Sequence, residues 1–310
     1  MRVERQVRSS DRIANVSSFH ANAVGSDGSP WLIGAGSNDA PIGCSGWLTK
    51  WRGIMRDPLE VAVETAREAG ALLLDYLHRP LHSMQKGRRA DLVTDADRAS
   101  ERLIVDRLSK EFPRSTIVGE EGGTRSGDSA ERWYVDPLDG TTNFTHGYPL
   151  FCVSIAYERE GELCAGVVYA PFYDELFVAQ RGAGAMLGSR TVGVSRVEAL
   201  GDALVCTGFH PADFVRNGEY FRVMSGVAQA VRRDGSAALD LASVACGRFD
   251  GFWEFDLSAW DVSAGALLVR EAGGVVSAID GGAFRVDGRV ILATNGRIHD
   301  QMVGVLGSPP

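Results

Sequence analysis

Cysteine is sparse and unpatterned in this chain. Its five cysteines, Cys44, Cys152, Cys164, Cys206 and Cys246, are scattered and odd in number, with no Cys-x-x-Cys pair and no Cys/His zinc spacing. That argues against a zinc module or a disulfide framework and reads as small buried hydrophobes in a reducing, cytoplasmic setting. Long apolar runs are missing as well: no stretch approaches the roughly 18 consecutive apolar residues of a membrane span, so no membrane partner is expected. Basic residues near the N-terminus are not followed by a compact apolar segment, which argues against a secretory signal. Positive charge is in deficit, with 32 Lys and Arg against 40 Asp and Glu and a net charge of −8. Nucleic-acid binding needs clustered Lys and Arg, so no nucleic-acid partner is expected. The short basic run Lys86–Arg89, with Lys86, Arg88 and Arg89, reads as a solvated loop. Nor is there a Ser-His-Asp arrangement for acyl transfer.

What is present is an ordinary globular composition, 45% apolar and 23% charged over 310 residues, enough for one large domain or two packed layers. Residues 1–54 differ from the rest. Ser17 to Ser45 mixes Ser, Gly, Asn and Asp without a sustained period, and reads as a disordered N-terminal extension, or as sequence upstream of a natural start at Met55. One structured domain is expected over 55–310, with an α+β half at about 55–195 and an α/β half at about 196–310.

From Pro58 onward the pattern is helical, with Leu59, Val63, Ala66, Ala69, Leu73 and Leu77 in step, Asp57 as cap and Pro58 at the first turn. A second helix is predicted over Asp95 to Glu111, capped by Thr94, with Ala99, Leu103, Ile104 and Leu108 on its apolar side. Short strands follow as an antiparallel meander, at Thr116–Gly119, Arg132–Asp136, Phe151–Glu158, Glu162–Ala170 and Glu175–Gln180. Strands and helices then alternate, with helices at Tyr220–Ala230, Ala237–Ala245 and Ser258–Ala272. Stacked layers of helix and sheet are implied.

The most informative segment is Trp133-Tyr-Val-Asp136-Pro-Leu-Asp139-Gly140-Thr141-Thr142-Asn143-Phe144. A hydrophobic strand runs into Asp136, and Pro137 stops the ladder for want of an N–H. Two carboxylates and the Leu138 carbonyl make an oxygen-only corner suited to Mg²⁺. Beyond Gly140, backbone N–H groups and the Thr141 hydroxyl can receive a phosphate oxygen. Alone, such a segment reads equally as a capped turn. Three other segments keep it company: Gly119-Glu120-Glu121-Gly122-Gly123 at a strand end, Trp260-Asp261-Val262-Ser263-Ala264-Gly265 opening a helix, and Lys86 to Asp97, an acidic helix start with a basic approach. Glu121 alone reads as solvated surface, Asp261 alone as a helix cap, and His146 as a packing or loop residue, since Mg²⁺ prefers oxygen.

Together, in this order, the four segments resemble the inositol monophosphatase family of lithium-sensitive, magnesium-dependent phosphatases, over roughly residues 58–300. The N-terminal extension departs from typical members. The resemblance implies an α+β fold, the layered αβαβα sandwich of the inositol monophosphatase/fructose-1,6-bisphosphatase type, and a homodimer. It implies two or three Mg²⁺ ions, with Glu120, Asp136 and the Leu138 carbonyl holding one and Asp136, Asp139 and Asp261 a second. Catalysis would then rest on Glu120 and on Thr141 hydrogen-bonded to Asp97. Substrate contacts would come from Asp139, Gly140, Thr141, Asp261, the Gly235-Ser236-Ala237 loop, and Glu254, which lies six residues before Trp260. The expected substrate is a small phosphorylated polyol or sugar, myo-inositol-1-phosphate first. Thr142-Asn143-Phe144 stands where the nucleotide 3′-phosphatase branch has Lys-Glu-Phe, which disfavours that substrate. Fructose-1,6-bisphosphate, histidinol phosphate and a non-catalytic regulatory protein of the same fold remain alternatives.

Overall fold

The computed structural model describes residues 56–79, 83–85, 92–209 and 214–307. The expectations for residues 1–54 and for Lys86–Arg89 lie outside them. The chain opens with α1 (Pro58–Tyr76), where the Asp57 carboxylate accepts the Leu59 N–H at 2.8 Å and Pro58 occupies the first turn. Two short strands, β1 (Ser83–Gln85) and β2 (Leu92–Thr94), pair with each other and lead into α2 (Asp95–Glu111). Thr94 caps α2 by accepting from Ala96 N, and the Asp97 carboxylate reaches back to the Thr94 N–H at 2.8 Å, a reciprocal capping box.

An eight-stranded sheet follows, built from β3 (Thr116–Gly119), β4 (Thr124–Arg125), β5 (Glu131–Asp139), β6 (Cys152–Arg159), β7 (Glu162–Ala170), β8 (Glu175–Gln180), β9 (Gly184–Leu187) and β10 (Arg190–Val192), in the order β10-β9-β8-β7-β6-β5-β3-β4. It is antiparallel except where β3 runs parallel to β5. A short helix, α3 (Thr141–Thr145), leaves the end of β5. The remaining chain alternates: β11 (Leu204–Thr207), α4 (Phe214–Val227), β12 (Ala230–Arg232), α5 (Ala237–Ala245), β13 (Gly251–Phe255), α6 (Ala259–Glu271), β14 (Val275–Ser277), β15 (Val290–Thr294) and α7 (His299–Leu306). Its strands form a five-stranded mixed sheet, β12-β11-β13-β15-β14.

The period-2 geometry of strands explains the layering. On β5, Trp133 and Val135 face α1 and α2 with Ile155 and Val167, packing on Leu73, Ile104 and Leu108. Tyr134, Ala156 and Val168 point the other way, onto Leu241 of α5 and Ala266 of α6. Those two helices also cover Phe252 and Ile291 of the second sheet. On that sheet's far side, Trp253 and Leu292 pack on Met224 of α4 and Met302 of α7. The result is helix, sheet, helix, sheet, helix, an α+β sandwich.

Several boundaries differ from expectation. β5 does not end at Asp136; it bulges, with Asp136 opposite Ser154 and Asp139 opposite Cys152, so the strand resumes after Pro137. On α2, Ala99 and Leu103 are only partly covered, and the buried stripe is instead Ala96, Asp97, Ser100, Glu101, Ile104 and Leu108. α4 starts and ends earlier than its apolar pattern suggested, while α3 and α7 were not anticipated. Among the described cysteines, Cys152, Cys206 and Cys246 are free. Among the described residues no helix is long and apolar enough to cross a membrane.

Candidate active site

The bulge at the end of β5 shapes the site. Pro137 has no N–H to give and its carbonyl accepts the Ser100 hydroxyl of α2 at 2.8 Å. Asp136 Oδ1 accepts the Leu138 N–H at 3.0 Å, a local turn that presents the backbone beyond it. Gly140 then adopts φ +94°, and a Cβ there would meet the Leu150 carbonyl oxygen at 2.8 Å, so the turn into α3 requires glycine. Phe144 of α3 packs edge-on against Phe151, ring centres 4.9 Å apart, and fixes this short helix.

Thr141 opens α3. Its hydroxyl lies 2.9 Å from Asp97 Oδ1 and 3.1 Å from the Leu138 carbonyl oxygen. Asp97 is fully buried; burial pushes its carboxyl up, opposed by hydrogen bonds from Thr94 and Thr141. Glu120 follows β3 on a loop and is half-buried. Asp261 lies in the first turn of α6, where its Oδ2 accepts the Ser258 N–H at 2.6 Å. The helix-capping role and the place in the site therefore belong to the same side chain.

Asp136 is the buried centre, 2% exposed. Burial first, and then the charges of Glu120, Asp139 and Asp261, push its carboxyl well above the usual range. Burial also raises Asp261, to about 7, opposed by the hydrogen bond that the Ser258 N–H donates to it. Asp139 is raised by burial, against which Ser236, Ala238 and Ala237 donate hydrogen bonds. Its Oδ2 accepts the Ser236 hydroxyl at 2.6 Å and the Ala238 N–H at 2.7 Å, so Asp139 caps α5 from across the molecule. The hydroxyl of Ser236 is thereby committed to Asp139, and Ala237 is buried beside it. Gly235, at φ +82°, holds the loop before α5, and the Asn143 amide donates to the Asp234 carbonyl at 2.8 Å.

Glu254 leaves β13 half-buried, its carboxyl raised well above the usual range by burial, then by Asp261 and Asp139. It lies flat on Gly208, where a Cβ would come within 2.3 Å of its oxygen. The structure thus gathers the residues expected at a site: Asp97, Leu138 and Thr141 share hydrogen bonds, Glu120, Asp136, Asp139 and Asp261 crowd one another, and Gly235, Ser236, Ala237 and Glu254 border them. His146 is exposed at the end of α3, as a loop residue.

The donor chemistry fits a hard divalent cation. Four carboxylates and the Leu138 carbonyl are all oxygen, and their mutual repulsion, visible in the raised carboxyl of Asp136, is the kind a cation relieves. Among the described residues, no three Asp, Glu, His or Cys side chains stand ready as a finished cage around one point. The fit rests on donor type and crowding. Three further residues escaped the sequence reading: Ser100, Glu101 and Asp240. Asp240 is 2% exposed and its Oδ2 has no hydrogen-bond partner. Ser100 and Glu101 follow Asp97 by one helical turn, and polar residues on a helix's buried stripe were the signal available.

Comparison with known proteins supports the same reading. The family model for the inositol monophosphatase family matches residues 55–307. An inositol-1-monophosphatase of Synechocystis is 43% identical, over 81% of this chain and 89% of its own length. A Nus factor SuhB of Pseudomonas aeruginosa is 47% identical, over 73% of this chain and 87% of its own. The crystal structure of an extragenic suppressor protein suhB from Bartonella henselae superposes with a TM-score of 0.78 at 42% identity, covering 81% of this chain and 98% of that one. Proteins of this family are generally metal-dependent and act on phosphorylated substrates. With its fold, its carboxylate corner and a match over nearly every described residue, this chain belongs to the inositol monophosphatase family.

Proposed function

We propose that this protein is a magnesium-dependent phosphomonoesterase whose substrate is a small polyol phosphate, myo-inositol-1-phosphate first. The observation that carries the reading is the crowding of Glu120, Asp139 and Asp261 around buried Asp136. Glu120, Asp136 and the Leu138 carbonyl would hold one ion, and Asp136, Asp139 and Asp261 a second. Magnesium bound there supplies a polarised water and neutralises the phosphate's negative charge.

The chain's own groups do the positioning. Thr141 donates its single hydrogen to Asp97 Oδ1, which turns a hydroxyl lone pair toward the incoming water. Glu120 orients that water from the other side. The water attacks phosphorus opposite the ester oxygen, the P–O ester bond breaks, and the proton the water gives up passes through solvent to the departing alkoxide, leaving the alcohol and inorganic phosphate. No covalent phosphoenzyme forms. The first turn of α3 offers N–H groups to a phosphate oxygen, because the first N–H groups of a helix have no intrahelical partner. Glu254, on the wall formed by Gly208, accepts hydrogen bonds from substrate hydroxyls. A cytoplasmic homodimer completes the proposal, and light scattering of the purified chain tests the dimer.

Phosphate release from myo-inositol-1-phosphate, fructose-1,6-bisphosphate, histidinol phosphate and a nucleotide 3′-phosphate, with and without Mg²⁺, tests the substrate. Fastest Mg²⁺-dependent turnover of inositol phosphate is the expected result. Preference for another ester keeps the site and overturns the substrate. The similarity to a protein named Nus factor favours a second reading, a non-catalytic regulatory protein of this fold. Folded protein that binds Mg²⁺ yet releases phosphate from none of the four esters would favour it.

A further inference from the structure

Glu101 is an ionisable residue on the buried stripe of α2, 6% exposed, one turn beyond Asp97. Its Oε1 accepts the Glu121 N–H at 2.9 Å. The same carboxylate fills the space that side chains would need at two glycines: a Cβ on Gly119 would lie 2.3 Å from Oε1, and one on Gly122 3.0 Å from Oε2. The loop closes on itself where the Gly119 N–H donates to the Gly123 carbonyl at 2.9 Å. The backbone from Gly119 to Gly122 is therefore wrapped around the Glu101 carboxylate, and Glu120 is the residue in the middle of the wrap. Glu101, Glu120 and Glu121 also line one cleft of about 390 Å³ together with Arg98 and Arg102.

We propose that Glu101 is a positioning residue for Glu120, holding the Glu120 backbone from both sides so that its carboxylate meets the cation and the attacking water; this rests on the metal-dependent reading above. The placement gives α2 a second use. Residues four apart on a helix share a face. Asp97 fixes Thr141 from that face, and Glu101 fixes the Glu120 loop from the same face one turn on. The two groups that orient the water, carried by different segments of chain, are thus referenced to one rigid helix. The glycines on either side of the Glu120–Glu121 pair have a matching reason to be glycine: the carboxylate occupies the room a side chain would take.

Direct Mn²⁺ binding to the full chain, followed by the electron-spin-resonance signal of free Mn²⁺, tests this without relying on turnover. Glu120→Gln serves as the reference. Glu101→Ala is expected to raise the Mn²⁺ dissociation constant about tenfold or more, in the range found when groups that orient metal ligands are removed. Glu101→Gln keeps an acceptor oxygen of the same reach and is expected to stay within about threefold of the parent, on the same scale. A merely structural role would lower the thermal midpoint of Glu101→Ala while leaving the Mn²⁺ affinity of its folded fraction unchanged. That result, alongside weakened binding in Glu120→Gln, overturns the proposal and spares the metal reading. If Glu120→Gln itself binds Mn²⁺ as the parent does, the metal reading fails and this proposal with it. Should Glu101→Ala not fold, Glu101→Asp keeps the charge and withdraws the carboxylate by one methylene. A several-fold loss of Mn²⁺ affinity is expected from it, and an unchanged affinity overturns the proposal.

Discussion

At Thr141 one hydroxyl hydrogen faces two acceptors, Asp97 Oδ1 at 2.9 Å and the Leu138 carbonyl at 3.1 Å. The shorter contact is to a carboxylate, and hydrogen bonds to ionised groups are the stronger ones. The hydrogen therefore goes to Asp97, which leaves the Leu138 carbonyl lone pairs open to the proposed cation. On the proposed mechanism, removing the hydroxyl takes away both the water's acceptor and one of the hydrogen bonds that oppose the upward push of burial on Asp97. Thr141→Ala is expected to lower kcat for phosphate release by about 10²- to 10³-fold, the range of a positioned proton-handling group. Thr141→Ser keeps the hydroxyl and is expected to retain most of the rate. Parent-like turnover in Thr141→Ala would remove this residue from the mechanism.

Among the elements, α5 and α6 matter most to the site, because one carries the Asp139 anchor point and the other carries Asp261. They approach closely at Gly265, where a Cβ would lie 2.5 Å from Leu241 Cβ. Gly265→Ala gains about 1 kcal/mol of helix propensity, but overpacking a well-filled core costs about 1–3 kcal/mol. Here the obstacle is another residue's Cβ and Cδ1 rather than a flexible tip, so the clash wins. A fall in thermal midpoint of about 2–6 °C is expected for a chain of this size. An unchanged midpoint would mean that the two helices can separate without cost.

The same elements show what could be read in advance. The starts of α1 and α2 were legible to the residue because local chemistry sets them: Asp57 and Pro58 start one, and Thr94 starts the other. β7, β8 and α5 were legible from alternation or a compact apolar run between turn residues. The return of β5 to its ladder at Asp139 was not, because a bulge is set by the partner strand and not by Pro137. Glu101 was missed for a related reason. A polar residue on a helix reads as solvent-facing until the loop that wraps it is known. The residues of the carboxylate corner were nameable from the motifs, whereas the tie from Asp139 to Ser236 and Ala238 joins segments about a hundred residues apart and needed the fold.

At the scale of the whole molecule, the site stores like charge at the meeting of two sheets and their helices. Asp136, Asp240 and Glu254 are pushed well up by burial, and Asp261 to about 7. A carboxyl whose folded pKa lies above its unfolded value binds protons more tightly when folded. Its stabilising contribution is complete below the unfolded value near 4 and is lost as pH rises through the folded value. Metal-free protein is therefore expected to lose thermal stability between about pH 5 and pH 8, a slope that a saturating divalent cation flattens or reverses. His299 works in the opposite sense, since burial lowers its pKa and its contribution fades as pH falls below its unfolded value. Thermal midpoints at several pH values, in chelator and in Mg²⁺, check the balance. A midpoint that rises with pH in chelator would contradict the crowding of charge described above.

The central claim is that the corner built on Asp136 is a metal-dependent phosphatase centre. Its most direct test is phosphate release from myo-inositol-1-phosphate over a Mg²⁺ titration, in the parent chain and in Asp136→Asn. The account predicts turnover that saturates with Mg²⁺ in the parent. In folded Asp136→Asn it predicts a loss of at least about 10³-fold, because that carboxylate is the buried centre of the corner that would hold the cation, and charge neutralisation is the largest part of such catalysis. Turnover without added metal in chelator, or parent-like turnover in Asp136→Asn, would contradict it.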